Sequence, residues 1–320
     1  MNDYDIVALG ELLIDFTGNG ISERGNGLFE ANPGGAPCNV LAMAAKFGRK
    51  CAFIGKVGQD SFGDLLQKTI EDVGIDKRYL VRDSEIPTTL AFVHKLPDGD
   101  RSFSFYRKPG ADMMLRQSDI DEEVFGHTKI FHFGTLSMTS PEVRQTTLWA
   151  VAKAKEAGCI ISLDPNLREP LWDDLDEARK QMLTAISLCD ILKISDNELT
   201  FVTGLSDYDA GVKMLEDKYH IPIICLTMGK EGSRVYYKGS TKVEAAGFVQ
   251  EKVVDTTGAG DTFFGCVLSF LAEHGLDDLS EDDLHRMLTI SNAAASIITT
   301  RPGAIRSMPE VSEVMELVNS

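Results

Sequence analysis

The segment Asp255-Thr-Thr-Gly-Ala-Gly-Asp-Thr-Phe-Phe-Gly265 joins two glycines, an acid and the start of an apolar helix. Gly258 and Gly260 can adopt backbone angles that are closed to other residues, and they leave room for a ligand to approach the main chain. The unpaired amides in the first turn of the following helix would face that ligand with the positive end of the helix dipole. Such a site suits a phosphoryl group that accumulates negative charge.

Asp261 indicates what chemistry this segment performs. A carboxylate repels a phosphate, so anion binding alone does not explain an acid at this position. A base that removes a proton from an incoming hydroxyl does explain it. The alternative is a glycine-containing turn whose aspartate caps a helix. The rest of the chain has to decide between these two interpretations.

The composition argues against several classes of protein. The chain has 320 residues, 43% of them hydrophobic and 25% charged, which is typical of a globular protein. Its net charge of −17 argues against nucleic acids and anionic membranes as partners. No apolar stretch is long enough to span a bilayer, no targeting segment opens the sequence, and the six cysteines are scattered. These features predict a cytoplasmic protein with reduced thiols.

Most of the chain alternates between short apolar runs and amphipathic segments. Strands are predicted at 5–9, 51–54, 130–133, 159–163, 191–194 and 221–227, with helices between them and two closing helices at 261–274 and 281–300. This alternation predicts a mostly parallel central sheet that is covered by helices on both faces. Ligands of such sheets bind beyond the carboxyl ends of the strands, where Asp15, Asp164-Pro-Asn166 and Lys193 are expected to converge.

Two segments depart from this alternation. Residues 88–95 and 101–107 are rich in β-branched and aromatic residues and are separated by Leu96-Pro-Asp-Gly-Asp100, a pattern that predicts a hairpin in a small separate sheet.

Arg107 and Arg168 each follow an apolar strand, which favours contact with a substrate or phosphate over a purely surface position.

Three motifs together resemble the ribokinase-like (PfkB) carbohydrate kinases. They are Gly10-Glu-x-x-x-Asp15, Gly34-Gly35-x-x-x-Asn39 and Asp255-Thr-Thr-Gly-Ala-Gly-Asp261, and they follow the family's order over nearly the whole chain. The resemblance implies one kinase domain over residues 1–320 with a three-layer α/β/α sandwich. It also implies a small β-sheet lid formed by roughly residues 16–36 and 86–109. The chain is most similar to the fructokinase and 2-keto-3-deoxygluconate kinase branches, so it is expected to phosphorylate the primary hydroxyl of D-fructose with ATP.

The resemblance assigns roles to individual residues. Asp261 matches the catalytic base, and Gly258, Ala259 and Gly260 match the backbone site that holds the transferred charge. The implied substrate contacts are Asp15, Gly34, Gly35 and Asn39, with Arg107 and Arg168 added as candidates from their positions. The implied nucleotide contacts are Thr227, Gly229, Gly258, Gly260 and Asn292, with Lys193 added because it follows a strand.

Metals and partners are implied as well. Glu198 matches the acid of the family's Asn-x-x-Glu motif, which acts on Mg²⁺ through water, although Ser195 replaces the asparagine. A loop that binds a monovalent cation, K⁺ in this expectation, is matched by Asp255, Thr257, Ile298, Arg301, Gly303 and Ser307. ATP is the expected co-substrate, and the lid is expected to pair two subunits into a homodimer.

Two other functions stay open. One is 2-keto-3-deoxygluconate kinase, whose substrate carries a carboxylate that Arg107 or Arg168 could bind. The other is a non-catalytic protein that senses sugar or nucleotide on the same scaffold, although a sensor has no need of Asp261. A dinucleotide site is excluded, because Gly10 is followed by Glu11-Leu-Leu13 instead of the further glycines that such a site requires.

Overall fold

A computed structural model describes residues 3–95 and 101–320 of the chain. Within these ranges the strands are β1 (Tyr4–Leu9), β2 (Leu13–Ile21), β3 (Gly27–Gly34), β4 (Cys51–Gly58), β5 (Ile75–Asp76), β6 (Leu80–Asp83), β7 (Leu90–Lys95), β8 (Arg101–Tyr106), β9 (Thr128–Gly134), β10 (Ile160–Asp164), β11 (Ile191–Ser195), β12 (Ile223–Thr227), β13 (Ser233–Tyr237) and β14 (Thr241–Ala245). The α-helices are α1 (Ala36–Lys46), α2 (Ser61–Asp72), α3 (Glu123–Gly126), α4 (Pro141–Glu156), α5 (Leu175–Ile186), α6 (Asp196–Thr203), α7 (Tyr208–Tyr219), α8 (Ala259–His274), α9 (Glu281–Ile298) and α10 (Val311–Val318).

The central sheet is mostly parallel, as predicted. Its strands lie in the order β14-β13-β12-β11-β10-β9-β1-β4-β5, and β6 pairs with β4. The pairings from β12 to β13 and from β13 to β14 are antiparallel, whereas the other pairings of this sheet are parallel. Strand β1 lies between β4 and β9, so it is paired along both edges.

The side chains of β1 show why helices cover both faces. Successive residues of a strand point to opposite faces, and here Ile6 and Ala8 enter one apolar core while Val7 and Leu9 enter the other. The first core is completed by α1, α8 and α9, and the second by α4, α5 and α7. The three-layer α/β/α arrangement therefore follows from a central strand that is buried on both faces.

The small separate sheet is also present, with strand order β3-β2-β7-β8. Strand β2 pairs antiparallel with β3 and parallel with β7, and β7 pairs antiparallel with β8. The predicted turn Leu96–Asp100 lies outside the described residues. Phe16 and Phe92 stack with ring centroids 4.9 Å apart, so aromatic contacts on neighbouring strands hold this sheet together.

Several boundaries differ from the sequence-based expectation. Helix α8 begins at Ala259, two residues before the predicted start, because Gly258 supplies a left-handed residue with φ 79° at the helix entry. Helix α10 was not predicted. The alternation of apolar and amphipathic segments gave no strands at residues 13–34, whereas the family resemblance implied a β-sheet lid over roughly residues 16–36, where β2 and β3 now lie. None of the helices in the described ranges combines the length and apolar composition needed to cross a bilayer.

Candidate active site

The glycine-rich segment forms the amino end of α8. Gly258 precedes the helix, and Ala259, Gly260 and Asp261 form its first turn. A Cβ atom at Gly260 would lie 2.9 Å from Nζ of Lys193, so a larger residue would crowd that ammonium group. The segment therefore brings backbone amides, a carboxyl group and a buried cation together at one helix end.

Two cavities meet at this helix end. The larger cavity has a volume of about 600 Å³ and the smaller one about 420 Å³, and Gly260 lines both. Ten of the predicted site residues line the larger cavity: Asp15, Gly35, Asn39, Arg168, Lys193, Glu198, Thr257, Gly258, Gly260 and Asp261. Thr227, Gly229, Ala259 and Asn292 line the smaller cavity.

Asp261 is buried at the junction. The Nδ2 atom of Asn39, in α1, donates a hydrogen bond to Oδ2 of Asp261 at 2.7 Å. Burial raises the pKa of the Asp261 carboxyl above its ordinary value, and the hydrogen bond from Asn39 opposes that rise. A base with a raised pKa is better able to hold the proton that it accepts.

Asp15 and Glu11 add two acids to the larger cavity. Burial raises the pKa of each carboxyl to about 7, and for Asp15 the positive charge of Arg168 opposes the rise. Oε1 of Glu11 accepts a hydrogen bond at 2.8 Å from the amide of Ala36, the first residue of α1. The sequence motifs assigned Glu11 no role, although it stands in the Gly10-Glu-x-x-x-Asp15 motif.

The two glycines before α1 serve different purposes. Gly35 has φ 134°, and a Cβ there would overlap the carbonyl oxygen of Glu11. A Cβ at Gly34 would lie 2.5 Å from Oδ2 of Asp15. Among the described residues, Gly35 lines the larger cavity and Gly34 does not. Gly34 thus makes room for the Asp15 side chain, and its contact with a substrate stays a prediction.

We expect Gly35→Ala to lower the free energy of unfolding by about 3 kcal/mol, since it combines a strained backbone angle with an overlap against main chain. Gly48→Ala is the matched control, because Gly48 has φ 76° but no atom lies within 4 Å of the place that its Cβ would take. That control should cost about 1 kcal/mol. Urea denaturation measures both values, and equal losses would show that the Glu11 contact has no effect.

Lys193 lies within β11 and is held by an acid of the neighbouring strand. Its Nζ atom lies 2.9 and 3.2 Å from the two carboxylate oxygens of Asp164. Burial opposes the charge on Lys193, but Asp164 and Glu198 outweigh it and raise the pKa of the ammonium. Because Lys193 also lines the larger cavity beside Gly260, its structural ion pair and a role towards phosphate are compatible.

Both carboxylate oxygens of Glu198 accept hydrogen bonds from protein groups. Ser195 caps α6, its hydroxyl accepts from the amide of Glu198, and Glu198 Oε2 accepts from the amide and hydroxyl of Ser195 at 2.9 and 2.8 Å. Glu198 Oε1 accepts from the amide of Leu167 at 2.8 Å. Burial alone would raise the pKa of Glu198, but Lys193 and these hydrogen bonds lower it. Ser195 therefore retains a capping function where the family motif has asparagine.

The two candidate arginines occupy different environments. Arg107 is buried and bonded to Asp112, Thr139 and the carbonyl of Leu136, and it is not among the described residues that line either cavity. The predicted substrate contact of Arg107 is therefore not supported, because its guanidinium is already engaged by protein groups. Arg168 does line the larger cavity.

The smaller cavity is mainly apolar around Phe248, Phe263 and Ala295. Asn292 has its amide engaged with the protein: Nδ2 donates to the carbonyls of Ala245 and Ala246 at 3.0 and 3.1 Å, and Oδ1 accepts from Ser233 at 2.9 Å. Asn292 thus shapes this wall by holding the end of β14 in place.

The residues predicted to bind a monovalent cation come close together beside α8. The amides of Val254 and Asp255 both donate to the carbonyl of Thr299, at 2.8 and 3.1 Å, which joins the two loops. The carbonyl of Ile298 accepts from the amide of Arg301, and the Arg301 side chain bonds to Glu313 and to the carbonyl of Ser307. Ser307 Oγ donates a hydrogen bond to the carbonyl of Pro302 at 2.6 Å. The same Oγ atom lies 3.5 Å from the position that a Cβ atom at Gly303 would take. Within residues 3–95 and 101–320 no cluster of His, Cys, Asp and Glu has metal-site geometry, so carbonyl oxygens would have to supply such a site.

A sequence model described as pfkB family carbohydrate kinase matches residues 3–311. The chain belongs to this family. A probable fructokinase of Arabidopsis thaliana is 38% identical over 98% of this chain and 95% of that protein. A fructokinase of Xylella fastidiosa with bound ATP superposes with a TM-score of 0.89 at 30% identity, covering 99% of this chain and 98% of that one. A Vibrio cholerae fructokinase with fructose, ADP and calcium superposes with a TM-score of 0.87 at 30% identity, covering 98% of each chain.

In this pfkB kinase, ten lining residues of the larger cavity are not among the site residues predicted from the sequence. Glu11, Phe105, Leu136 and Asn166 are four of them. Glu11 and Asn166 lie at the ends of strands on the predicted ligand edge, so their positions were a usable signal. Leu136 carried none, because an apolar residue after a strand is ordinary core composition.

Proposed function

We propose that the protein is an ATP-dependent fructokinase that transfers the γ-phosphoryl group of Mg-ATP to the primary hydroxyl of D-fructose. The observation that carries this proposal is Asp261, a buried carboxyl at the amino end of α8 in the larger cavity, next to Gly260, which lines both cavities. Related fructokinases with the same fold bind ATP, or ADP together with fructose.

The proposed reaction is a direct in-line transfer. The hydroxyl oxygen of fructose forms a bond to the γ-phosphorus while the bond from that phosphorus to the β,γ-bridging oxygen breaks, and Asp261 accepts the hydroxyl proton. The amides of the first turn of α8 stabilise the charge that spreads over the transferred group. Water is excluded from this site when the small sheet covers the sugar.

Fructose would occupy the larger cavity. Asp15 can accept hydrogen bonds from two hydroxyls, and its carboxylate strengthens both bonds. Oδ1 of Asn39 is buried and has no hydrogen-bond partner among the described residues. A sugar hydroxyl would satisfy that acceptor while Nδ2 of Asn39 remains bonded to Asp261, so Asn39 would link the sugar to the base.

The charge balance of the larger cavity favours a neutral sugar over 2-keto-3-deoxygluconate. Four carboxyl groups line it, from Glu11, Asp15, Glu198 and Asp261, against the two cations Arg168 and Lys193. Lys193 is paired with Asp164 and Arg107 with Asp112, so Arg168 would face a substrate carboxylate without a second cation. A sensor without catalysis is disfavoured by the base at the junction.

The nucleotide would occupy the smaller cavity. Its apolar wall suits the adenine ring, and Thr227 and Gly229 lie along it. The phosphates would then extend towards Gly260 and Lys193, where the amino end of α8 favours negative charge. Lys193 can contribute a positive charge there while it remains paired with Asp164.

Two metal ions are proposed: Mg²⁺, which would arrive bound to ATP, and K⁺, which would bind beside α8. Mg²⁺ bound to ATP neutralises phosphate charge, and Glu198 would meet it only through water, because both of its oxygens accept hydrogen bonds from protein groups. For K⁺ we propose the loops that contain Asp255, Thr257, Ile298, Arg301, Gly303 and Ser307. The proximity of these loops to the first turn of α8 supports this assignment.

Fructose binding should strengthen as the pH rises through about 7. The pKa of Asp15 is raised to about 7, and only its ionised form can accept hydrogen bonds from two hydroxyls. Below that pH the carboxyl is protonated and the affinity falls. Calorimetric titration with fructose measures this dependence over the range from about pH 5.5 to about pH 8.5, which brackets the pKa. In Asp15→Asn the pH dependence should flatten, and an unchanged slope would assign it to another group.

The small sheet supports the proposed homodimer. Ile21, Leu28, Phe29 and Tyr106 are between 48% and 74% exposed on it, which is unusual for large apolar side chains. We expect Ile21→Glu with Phe29→Glu to convert a dimer to monomer, because a buried interface would then contain unpaired charges. Light scattering after gel filtration reads the mass. Leu175→Glu, at an exposed apolar residue of α5, is the control, and identical masses for all variants would exclude this interface.

We further propose that residues 1–320 act as one kinase domain in the cytoplasm. The family match over residues 3–311 supports the first point, and the six free, buried cysteines support a reducing compartment.

A coupled assay that detects ADP tests the proposed fructokinase activity. With D-fructose, D-ribose and 2-keto-3-deoxygluconate offered in turn, fructose should give the highest kcat/KM. Preference for the sugar acid would replace the proposal with the other kinase, and binding without ADP release would favour a sensor.

A further inference from the structure

A buried ion pair lies directly behind the wall of the larger cavity. Arg107 follows β8 and Asp112 lies in the 3-10 helix Ala111–Met114, and they are 4% and 5% exposed. Both Nε and Nη2 of Arg107 lie 2.7 Å from Oδ2 of Asp112. Nη1 donates to Thr139 at 2.7 Å, and Nη2 donates to the carbonyl of Leu136 at 3.1 Å. Because Leu136 itself lines the cavity, one residue separates this guanidinium from the space for the sugar.

Asp112 is fixed from its other side as well. Its Oδ1 atom accepts a hydrogen bond at 2.5 Å from the hydroxyl of Thr89, immediately before β7. Gly110 packs so closely on Thr89 that a Cβ there would overlap the hydroxyl oxygen. Both oxygens of Asp112 are therefore used, and the carboxylate holds Arg107 in one orientation.

Removing Asp112 would leave the Arg107 charge buried without its partner. Such a charge is costly, so the side chain would turn towards another acid. Glu11 is the candidate, since it lines the larger cavity and its carboxyl interacts electrostatically with both Arg107 and Asp112. A guanidinium drawn to Glu11 would add a third cation to that cavity.

We propose that Asp112 determines substrate specificity: by holding Arg107 behind the cavity wall, it keeps that cation away from the substrate and thereby excludes sugars that carry a carboxylate. Asp112 acts through Arg107 and is a positioning residue. This inference rests on the proposed function, since it explains why a neutral ketose is accepted there. It also gives the buried ion pair a purpose beyond folding, because a pair that only stabilised the fold would leave substrate discrimination unchanged when neutralised on one side.

The test compares the full-length wild type with Asp112→Asn by calorimetric titration of two probes, D-fructose and 2-keto-3-deoxygluconate. We expect the variant to bind the sugar acid about ten- to hundredfold more tightly than the wild type does, the gain from one charged hydrogen-bonding partner. Fructose affinity should change much less. A folded Asp112→Asn protein, with a thermal transition close to that of the wild type, that shows no gain for the sugar acid overturns the proposal.

The double variant Arg107→Gln with Asp112→Asn is the matched control. It removes both charges and keeps hydrogen-bonding groups, so it should bind fructose nearly as the wild type does and should show no gain for the sugar acid. A more than tenfold loss of fructose affinity in this folded variant would mean that Arg107 contacts the sugar, and would overturn the proposal even if Asp112→Asn does not fold. These titrations require no turnover, so they are independent of whether the wild type phosphorylates fructose, on which the proposed function depends.

Discussion

Asp261→Asn is expected to lower kcat by about 10²- to 10⁴-fold and to leave the binding of fructose and ATP largely unchanged. The asparagine fits the same space and can still accept the hydrogen bond from Asn39, but it cannot take the proton of the sugar hydroxyl. The backbone amides of α8 remain, so some catalysis persists. Steady-state assays measure kcat, and calorimetry measures the two affinities.

A matched control exists in the next helix. Asp282 lies in the first turn of α9, as Asp261 does in the first turn of α8, but it is exposed and is not among the described residues that line either cavity. Asp282→Asn therefore removes an aspartate from an equivalent helix position outside both cavities. This variant should keep wild-type kcat. If Asp261→Asn retained near-normal turnover, another group would have to remove the proton, and the assignment of the base would be wrong.

Asp15→Ala is expected to raise KM for fructose by about 100-fold or more, because it removes two hydrogen bonds to a charged acceptor. The KM for ATP should stay nearly constant, since Asp15 lines the larger cavity and not the smaller one. The change also removes an acid whose burial is unfavourable, so the protein should not lose stability at neutral pH. Kinetics with each substrate varied in turn separate the two KM values.

Glu30→Ala provides the comparison for Asp15→Ala. Glu30 is an exposed acid on β3, within the same small sheet, and its removal should leave both KM values unchanged. A parallel rise in both KM values for Asp15→Ala would indicate a general disturbance of the site. No rise for fructose would show that the sugar binds elsewhere.

Much of the glycine-rich segment at 255–265 could be predicted from the sequence because its features are local. The glycines, the acid and the apolar run that follow one another at 255–265 specify a helix entry wherever the chain carries them. The alternation of apolar runs with amphipathic segments likewise predicted the mostly parallel sheet. Residues 13–34 escaped this reasoning as strands, since they are rich in glycine and polar residues and are stabilised by pairing with β7.

The sequence by itself determined the fold class, the helix end with its amides and the acid that can serve as base, since each depends on neighbouring residues and their periodicity. Only the tertiary structure decided which charged groups line the larger cavity. Asp261 accepts a hydrogen bond from Asn39, which lies 222 positions away in the sequence. Arg107 is bonded to Asp112 and is not among the described residues that line the cavity, whereas Glu11 is. Whether a charged side chain is free or already paired depends on packing between distant segments, and no local pattern encodes it.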